Sequence, residues 1–415
     1  MNSVTSIVDL LDIDWEPNRT RDVSPFTEGF QKVEPHQPEV IAHPKNRDEV
    51  ARLVASLHHH DIPVGVTNTG HGRNDVLVGG VLIATDRLNC VAYDPETAKV
   101  RVGAGACWRD VIEVVPNEGF ILPHGSAPGV GVCGYFLTGG FSIYSRALGL
   151  AINSVSEIEI VTWNGEIVRW DHSDIIKRFA NVWCEPVRDG VVTEIVVSAT
   201  QERRVDAGSF FVYGDANRDL LSAFTDWAAD LPSSVTPSLG VLTYPDLPVF
   251  PEDIRGQTVG HVRYTVVGGD DGYASSLLAP FAEVFNTVAA TAGPLLVPDV
   301  GALYREPDFA HPYVGDSQAT SSSNLNLEAL WPSISNQEAL GSILDLRLAA
   351  GNLSPRPDRV GAPGKWIVRM LAGGNIEPSG ALAHIQNRLR DAVPDPLGSV
   401  AAFRYGFGGS ASVEL

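Results

Sequence analysis

Two glycine-bearing segments constrain the fold of this chain more than any other feature. The first is Thr69-Gly-His-Gly72, which follows a short predicted strand containing Val64 and Val66. Glycines on both sides of a histidine let the backbone approach a ligand closely, because no Cβ blocks the way. Consecutive amides in such a turn can form a nest for an anion such as a pyrophosphate, with the imidazole pointing into the same site. Taken alone, a histidine in a glycine-rich turn is more often structural than functional.

The second segment covers residues 124–140 and has the sequence HGSAPGVGVCGYFLTGG. Its residues 129–134 match GxGxxG, the fingerprint of dinucleotide-binding Rossmann domains. That fold needs a strand directly before the motif and a helix that begins at it. Pro123 and Pro128 precede the motif and argue against a strand. We therefore expect a second anion-binding loop rather than a Rossmann domain.

The chain has 415 residues, which is too long for one compact core and favours two domains. Its first half mixes strands with few helices, so an α+β arrangement is expected rather than a regular βαβ alternation. A helix is predicted over 46–60 and a hairpin over 157–170, with a type I′ turn at Asn164-Gly165. Further strands are predicted at 80–84, 99–103, 191–199, 260–267 and 366–371, helices at 220–231, 275–292 and 381–392, and a loop at 318–324. The predicted parts are an N-terminal segment 1–34, a domain 35–205 and a domain 206–415.

Charge and cysteine usage exclude several function classes. The formal net charge of −20 repels phosphate backbones and argues against nucleic-acid binding. No apolar run approaches the ~20 residues that span a bilayer, and the N-terminus lacks a secretory signal pattern. Cys90, Cys107, Cys133 and Cys184 show no metal-ligand spacing, so neither a metal site nor a disulfide is expected. We expect a cytoplasmic protein without a nucleic-acid or membrane partner.

Residues 35–205 resemble the FAD-binding domain shared by vanillyl alcohol oxidase, p-cresol methylhydroxylase and berberine-bridge-enzyme-like oxidoreductases. The resemblance implies an α+β, two-domain FAD-binding fold of the p-cresol-methylhydroxylase type, whose substrate domain is an antiparallel sheet plus helices. It rests on an ordered set of segments: 38–44, the helix 46–60, Thr69–Gly72, 82–88, 102–105 with Trp108, Gly125–Gly131, Gly134–Gly140, Gly149-Leu150, the hairpin 157–170 and Asp189–Thr193.

The resemblance also implies the roles of individual residues. His71 stands where the family's histidine bonds covalently to the flavin 8α-methyl group. The first loop would wrap the FAD pyrophosphate with Thr67, Asn68, Thr69, Gly70, Gly72 and Arg73. The second loop would line FAD with Ser126, Gly129, Gly131, Gly134 and Tyr135, and the backbone of Val191 and Val192 would meet the adenosine end.

The chain departs from the family pattern at several places. Ala127 occupies the position at which some relatives have a second, cysteine attachment, so at most one covalent link is expected. The chain ends at Leu415, and we expect a substrate domain that lacks the usual C-terminal return segment. Tyr405 is the candidate catalytic base, although a packed aromatic is the alternative interpretation. A phenol would need a lowered pKa to act as a base near neutral pH.

These observations favour an FAD-dependent oxidase or dehydrogenase. It would abstract a hydride from a small organic substrate, such as a secondary metabolite, with molecular oxygen as an acceptor. The alternatives are a flavin-containing non-redox cyclase in natural-product biosynthesis and a non-catalytic FAD-binding homologue. Five arginines could meet an anionic group in the cleft, although each is more often a surface or ion-paired residue; they are Arg73, Arg146, Arg347, Arg369 and Arg404.

Overall fold

The computed structural model describes most of the chain. The described residues are 4–18, 24–116, 119–182, 188–202, 204–244, 246, 248, 252, 254–295, 300–335, 343–374, 377–406 and 409–410. Cys184 and residues 411–415, on which two of the sequence predictions depend, lie outside them.

The N-terminal half contains two main sheets. A four-stranded sheet has the order Trp15–Pro17, Val40–Ala42, Val81–Ala84, Val64–Thr67, with the last three strands parallel. A five-stranded antiparallel sheet has the order Ile167–Asp171, Val155–Thr162, Gly190–Ser198, Lys99–Gly103, Val91–Asp94. A small antiparallel pair joins Phe120–Ile121 to Thr200–Gln201.

The C-terminal half is built on one eight-stranded sheet. Its order is Val288–Pro294, Val205–Tyr213, Thr258–Val267, Val235–Thr243, Ile343–Leu348, Trp366–Gly373, Tyr313–Thr320, Pro396–Gly398. All of its neighbouring pairs are antiparallel. This agrees with the predicted antiparallel sheet plus helices, while the domain boundary near residue 205 stays a prediction.

Among the described α-helices, most are short, and the longest are Arg47–His59, Asn217–Ala229 and Pro378–Ala392. The described α-helices are Val4–Leu10, Ser24–Thr27, Arg47–His59, Trp108–Val114, Val132–Leu137, Ser145–Leu148, His172–Arg178, Asn217–Ala229, Tyr273–Ser276, Ala279–Val284, Val300–Tyr304, Leu327–Ser335 and Pro378–Ala392. Short 3₁₀ turns cover Ala151–Ser154, Gly214–Ala216, Gly351–Leu353 and Ala401–Phe403. In the described part of the chain, no helix has both the length and the apolar character required to cross a membrane.

The two faces of the eight-stranded sheet differ in chemistry because side chains alternate along each strand. One face is apolar and packs its side chains, such as Leu239, Leu346 and Val368, against helices Asn217–Ala229 and Pro378–Ala392. The other face, called the polar face below, presents Thr236, Ser238, His261, Arg263, Thr265, Ser317, Asp345, Arg347 and Arg369, which lie opposite one another in the strand registers.

The polar face packs against the N-terminal half. Thr265 Oγ1 donates a hydrogen bond to the Ile143 carbonyl (2.5 Å), and the Arg146 amide donates to Thr236 Oγ1 (3.3 Å). Asn153 exchanges two hydrogen bonds with the backbone of Val360, at 2.9 and 2.8 Å. This packing places polar side chains of one half beside the glycine loops of the other.

Three sequence predictions need correction. The turn at Asn164-Gly165 is not type I′, since only Gly165 has a positive φ (+84°). The second half of the predicted helix 275–292 is instead the edge strand Val288–Pro294, and the predicted loop 318–324 begins inside strand Tyr313–Thr320. Separately, Gly409–Ser410 pairs with Asp75–Val76 of the N-terminal half, and the predicted lack of a return segment stays a prediction.

The GxGxxG match is not part of a Rossmann unit. A six-residue helix does begin at Val132, directly after Gly131. However, the strand before it, Phe120–Ile121, is antiparallel to its partner, so no parallel βαβ crossover is formed there. The expectation of a loop rather than a Rossmann fingerprint is therefore confirmed.

Candidate functional site

The first glycine loop, residues 67–73, is held by a segment that the sequence analysis did not connect with it. Gly70 has φ +68° and faces Gly29, with φ +63°; a Cβ built on Gly70 would lie 2.7 Å from the Cα of Gly29. The amides of Phe30 and Gln31 donate to the carbonyls of Thr69 (2.9 Å) and Gly70 (3.0 Å). Both glycines are therefore required by the close approach of two backbones.

His71 is fixed by contacts on two sides. Its ring stacks on Phe30, with centroids 3.8 Å apart, and its Nδ1 lies 3.0 Å from Thr69 Oγ1. Burial, with a smaller contribution from His311, lowers the pKa of His71 to about 4. The imidazole is therefore neutral near pH 7, and a neutral imidazole keeps one nitrogen lone pair for bonding.

The second loop lies directly against the first. The Gly131 amide donates to Thr69 Oγ1 (3.1 Å), and a Cβ on Gly131 would lie 2.8 Å from Asn68 Nδ2. A Cβ on Gly129 would lie 3.4 Å from Cε1 of His71. The two loops, predicted to close over one ligand, are thus in contact.

Both loops present backbone amides that are not engaged by the protein. Among the described residues, none supplies a hydrogen-bond acceptor to the amides of the four residues Thr69–Gly72. The amides of Gly125, Ser126, Ala127 and Gly129 are likewise not paired with a protein acceptor. Adjacent free amides of this kind form an anion-binding concavity.

Aromatic side chains pack against the second loop and hold it in place. Tyr135 donates from its hydroxyl to the Pro123 carbonyl (2.9 Å) and meets Trp108 edge to face at 5.5 Å. A Cβ on Gly125 would lie 3.3 Å from the Tyr135 ring. Burial raises the pKa of Tyr135, so its hydroxyl is neutral. Tyr135 thus supports the second loop, and its predicted contact with FAD stays a prediction.

The C-terminal half closes the site over the His71 loop. The Tyr313 hydroxyl donates to the His71 carbonyl, and the Gly406 amide donates to the Arg73 carbonyl (3.2 Å). A Cβ on Gly72 would lie 3.8 Å from Cε1 of Tyr405. Tyr405 therefore lies next to the predicted flavin loop, and its role as a base stays a prediction. Burial raises its pKa, however, and its hydroxyl donates to the Ala402 carbonyl (3.0 Å).

Two predicted cofactor residues, Arg73 and Gly134, differ in what the structure shows of their role. Arg73 donates from its guanidinium to the carbonyls of Thr27 (2.6 Å), Gln31 (3.2 Å) and Val33, so it ties the N-terminal segment to the loop. Gly134 lies inside helix Val132–Leu137, and a Cβ there would meet nothing within 4 Å. The FAD contacts of both residues stay predictions.

Ser126 and the Val191–Val192 pair lie at different ends of the predicted site. Ser126 is half-buried and donates to the exposed Glu306 (2.8 Å). Val191 and Val192 have core side chains, and strand Lys99–Gly103 pairs with their strand only from Glu194 onward. Their backbone therefore has a sheet partner on one side, strand Val155–Thr162, among the described residues.

The sequence analysis missed Phe30, Tyr313 and the partners of the two arginines on the polar face. Phe30 belongs to a segment without a periodic pattern, so its stacking on His71 had no sequence signal. Arg347 and Arg369 were candidates for binding an anion, and the structure adds Arg263 and Asp345 beside them. Arg146 instead donates to the carbonyls of Leu231, Pro232 and Val235. No group of three His, Cys, Asp or Glu side chains in the described ranges could hold a metal ion.

Comparisons with known proteins point to the same ligand. Residues 38–171 match the family model described as FAD binding domain. An uncharacterized FAD-linked oxidoreductase of Arthroderma benhamiae is 30% identical over 249 residues, which are 55% of this chain and 50% of that protein. The chain spans about half, or less, of the length of the curated relatives that it matches.

Solved structures share the fold over nearly the whole chain. A glucooligosaccharide oxidase of Acremonium strictum, described as revealing a novel flavinylation, has a TM-score of 0.80 at 14% identity and covers 98% of this chain and 90% of its own. Wild-type BBE-like 1 of Physcomitrella patens has a TM-score of 0.78 at 15% identity, covering 97% and 91%. The resemblance to the vanillyl-alcohol-oxidase and berberine-bridge-enzyme-like fold is confirmed, and the chain contains an FAD-binding domain.

Proposed function

We propose that this chain, which contains an FAD-binding domain, is an FAD-dependent oxidoreductase acting on a small organic molecule. The observation that carries the proposal is the pair of touching loops with free amides at Thr69–Gly72 and at 125–129. The names of its relatives, FAD-linked oxidoreductase and FAD-dependent monooxygenase among them, support the same activity. When bound, FAD supplies the redox chemistry, and the protein supplies binding, orientation and electrostatics.

The residues present fit FAD. Glycine at 129 and 131 leaves the loops without side chains at their closest approach, where a Cβ would press on His71 or Asn68. Loop residues 67–73, with Ser126, Gly129 and Gly131, would hold the pyrophosphate through amide donors. Tyr135 would support the flavin side of the loop. The backbone of Val191 and Val192 has a paired strand on one side only among the described residues. Its other side would be free to contact the adenosine end of FAD.

We assign the covalent attachment of FAD to His71. The imidazole is neutral, because burial lowers its pKa to about 4, and stacking on Phe30 fixes its orientation. A neutral imidazole can act as a nucleophile, which a protonated one cannot. The test is the visible spectrum of the purified protein before and after denaturation. Yellow colour that stays with the wild-type polypeptide, and that His71→Ala releases, supports the assignment; yellow colour retained by denatured His71→Ala contradicts it.

The chain's own groups would handle the substrate and the proton. Tyr405 and Tyr313 both contact the loop that carries His71. Tyr405 is the proposed proton acceptor, with molecular oxygen as the terminal electron acceptor. The decisive experiment is anaerobic addition of a substrate panel, in which bleaching of the flavin absorbance shows hydride removal. A yellow protein that no small organic compound bleaches would contradict the redox function.

A flavin-containing catalyst of a non-redox step, such as a cyclisation, is the second candidate. It is favoured by the raised pKa of Tyr405, which leaves a neutral phenol that donates rather than accepts. Turnover that continues with the flavin kept reduced would identify this function. A cytoplasmic location, and the lack of nucleic-acid and membrane partners, stay proposals that rest on charge and composition.

A further inference from the structure

The polar face carries three arginines around a single carboxylate. Asp345 is fully buried, and its Oδ1 lies 2.9 Å from the terminal nitrogen Nη2 of Arg263. Its Oδ2 lies 2.7 Å from Nε of Arg347 and 3.2 Å from Nε of Arg369. The side chains of the three arginines are only 9%, 14% and 12% exposed, respectively. The register explains the cluster, since Asp345 lies opposite Arg369, while Ser238 lies opposite both Arg263 and Arg347.

The charges in this cluster do not balance. Although burial raises it, the charges of Arg347, Arg369 and Arg263 hold the pKa of Asp345 below its usual range, so Asp345 is ionised. One carboxylate then faces three guanidiniums. The other carboxylate that acts on the cluster belongs to Glu306, which is exposed and accepts a hydrogen bond from Ser126. Among the described residues, Asp345 and Glu306 leave one of the three positive charges without a carboxylate partner, and a buried charge without a partner is costly.

Some N–H donors of these guanidiniums have no hydrogen-bond acceptor among the described residues. Nε of Arg263 is buried without a hydrogen-bond acceptor, and the alignment of Arg369 Nε with Asp345 is too poor for a hydrogen bond. Arg347 borders a cavity with room for about one water molecule. Hydroxyl groups line this cavity: those of Ser142, Ser145, Thr236, Ser238 and Tyr304. The Arg347 guanidinium and these hydroxyls border the same space, and donors of both kinds are suited to an oxyanion.

The cluster lies beside the proposed reaction site. The charges of Arg369 and Arg347 act on the Tyr405 phenol, and both guanidiniums stack on Phe403, at 5.1 and 4.9 Å from its ring centre. An anionic group held by Arg369 would lie next to Tyr405, whose ring in turn lies against Gly72 of the His71 loop. We propose that the substrate of this protein carries a carboxylate, which Arg347 and Arg369 bind with help from Arg263. This inference rests on the proposed function, because it names the substrate class of that site.

A carboxylate fits the charge better than a phosphate ester. One negative charge neutralises the charge left over when Asp345 and Glu306 are both counted. The two negative charges of a dianion would exceed this single positive charge. The excess would lie next to two carboxylates, in a chain whose net charge is already −20. A planar carboxylate also matches the planar fork of a guanidinium.

The test compares acids with their amides on the FAD-loaded full chain. Benzoate and phenylacetate are titrated against benzamide and phenylacetamide, with inorganic phosphate as the dianion, while the flavin absorption spectrum and the Tm are recorded. We expect the acids to perturb the flavin spectrum and raise Tm, and the amides to act at least ~10-fold more weakly. Arg369→Gln and Arg347→Gln should lose the acid response, whereas Arg390→Gln, on the exposed surface of helix Pro378–Ala392, should keep it.

Three outcomes would overturn the inference. Amides that bind as tightly as the acids would show that the site is not built for a carboxylate. Phosphate that binds more tightly than both would show the same. Arginine variants that lose FAD but keep the acid response would show that the positive charge serves the flavin instead. Where a variant does not fold, the acid-amide comparison on the wild-type chain decides. A colourless protein would contradict the proposed function, whereas a yellow protein that substrate bleaches but that does not distinguish acids from amides would contradict only this inference.

Discussion

At the scale of single residues, glycine is used where two backbones or two loops must touch. Gly29 and Gly70 face each other with positive φ, and Gly131 lies against Asn68 and Thr69. The sequence predicted the importance of Gly70 and Gly131 from their motifs, but not that of Gly29. Nothing in the chain before Gly29 indicated a partner 41 positions away, and such a contact exists only once the fold has formed.

Gly131→Ala tests the contact between the loops. The new Cβ would lie 2.8 Å from Asn68 Nδ2, so the loops must move apart. Forcing an extra methyl group into a packed contact costs about 1–3 kcal/mol, which would weaken FAD binding roughly 10- to 100-fold. The ratio of flavin to protein absorbance, measured after gel filtration, reports the loss. Gly301→Ala is the matched control, since a Cβ there meets nothing within 4 Å, and it should keep the flavin. Equal flavin content in both variants would contradict the role given to the contact.

Tyr405 makes a prediction about pH. Burial raises the pKa of its phenol, so the fraction of phenolate grows with pH up to and beyond the ordinary value of about 10. If Tyr405 is the base, the rate of flavin reduction should keep rising with pH through the alkaline range. Tyr405→Phe should remove that rise and lower the rate about 10²- to 10⁴-fold. A variant with an unchanged pH profile would assign the proton to another group, and Tyr405 would be a packed aromatic.

At the scale of elements, the sequence predicted correctly those helices and strands whose signals, such as a cap or a periodic apolar pattern, lie within the element itself. Helix Arg47–His59 begins after Asn46, as the Asn46/Glu49 pair predicted, and it buries Val50, Leu53, Val54 and Leu57. Strand Val288–Pro294 was predicted as helix because alanine-rich sequence favours helix, but pairing with Val205–Tyr213 determines its structure.

Strand Tyr313–Thr320 was missed for a related reason. Its polar residues resemble a loop, yet Ser317 lies on the buried polar face opposite Arg369. Polar strand residues are expected where a sheet faces a binding site rather than a core. The polar residues of this strand therefore made it resemble a loop in the sequence. The Asp345 cluster could not be predicted from local patterns, because its residues come from three strands.

Asn46→Ala tests the helix cap. Asn46 Oδ1 accepts the Glu49 amide (2.9 Å), and its own amide group donates to Glu49 Oε1 (3.0 Å). Loss of such a cap costs about 1 kcal/mol of the free energy of unfolding. Urea denaturation should show this decrease for Asn46→Ala and a much smaller one for Asn46→Asp, which keeps an acceptor. Equal losses in the two variants would show that the side chain acts through something other than the cap.

At the scale of the whole molecule, several histidines are buried in their neutral form between the halves and within them. Burial lowers the pKa of His36, His71 and His124 to about 4, and that of His261 to about 2. For His36 the arrangement has a visible cause, because its Nδ1 accepts the Leu77 amide (2.9 Å). Protonation would remove that lone pair, so the folded state resists it.

Acid should therefore destabilise the fold in a defined window. The unfolded chain binds protons at these histidines below pH ~6.5, whereas the folded chain does so only near pH 4, so stability is complete above pH ~6.5 and falls as the pH drops toward 4. His36 alone should contribute about 2 kcal/mol to the loss between about pH 7 and about pH 5. His36→Asn, whose side-chain oxygen can accept the Leu77 amide but does not titrate, should unfold in urea with a smaller difference between the two pH values. If His36→Asn lost as much stability between the two pH values as the wild-type protein, His36 would already be charged in the folded protein. Its Nδ1 would then not accept the Leu77 amide.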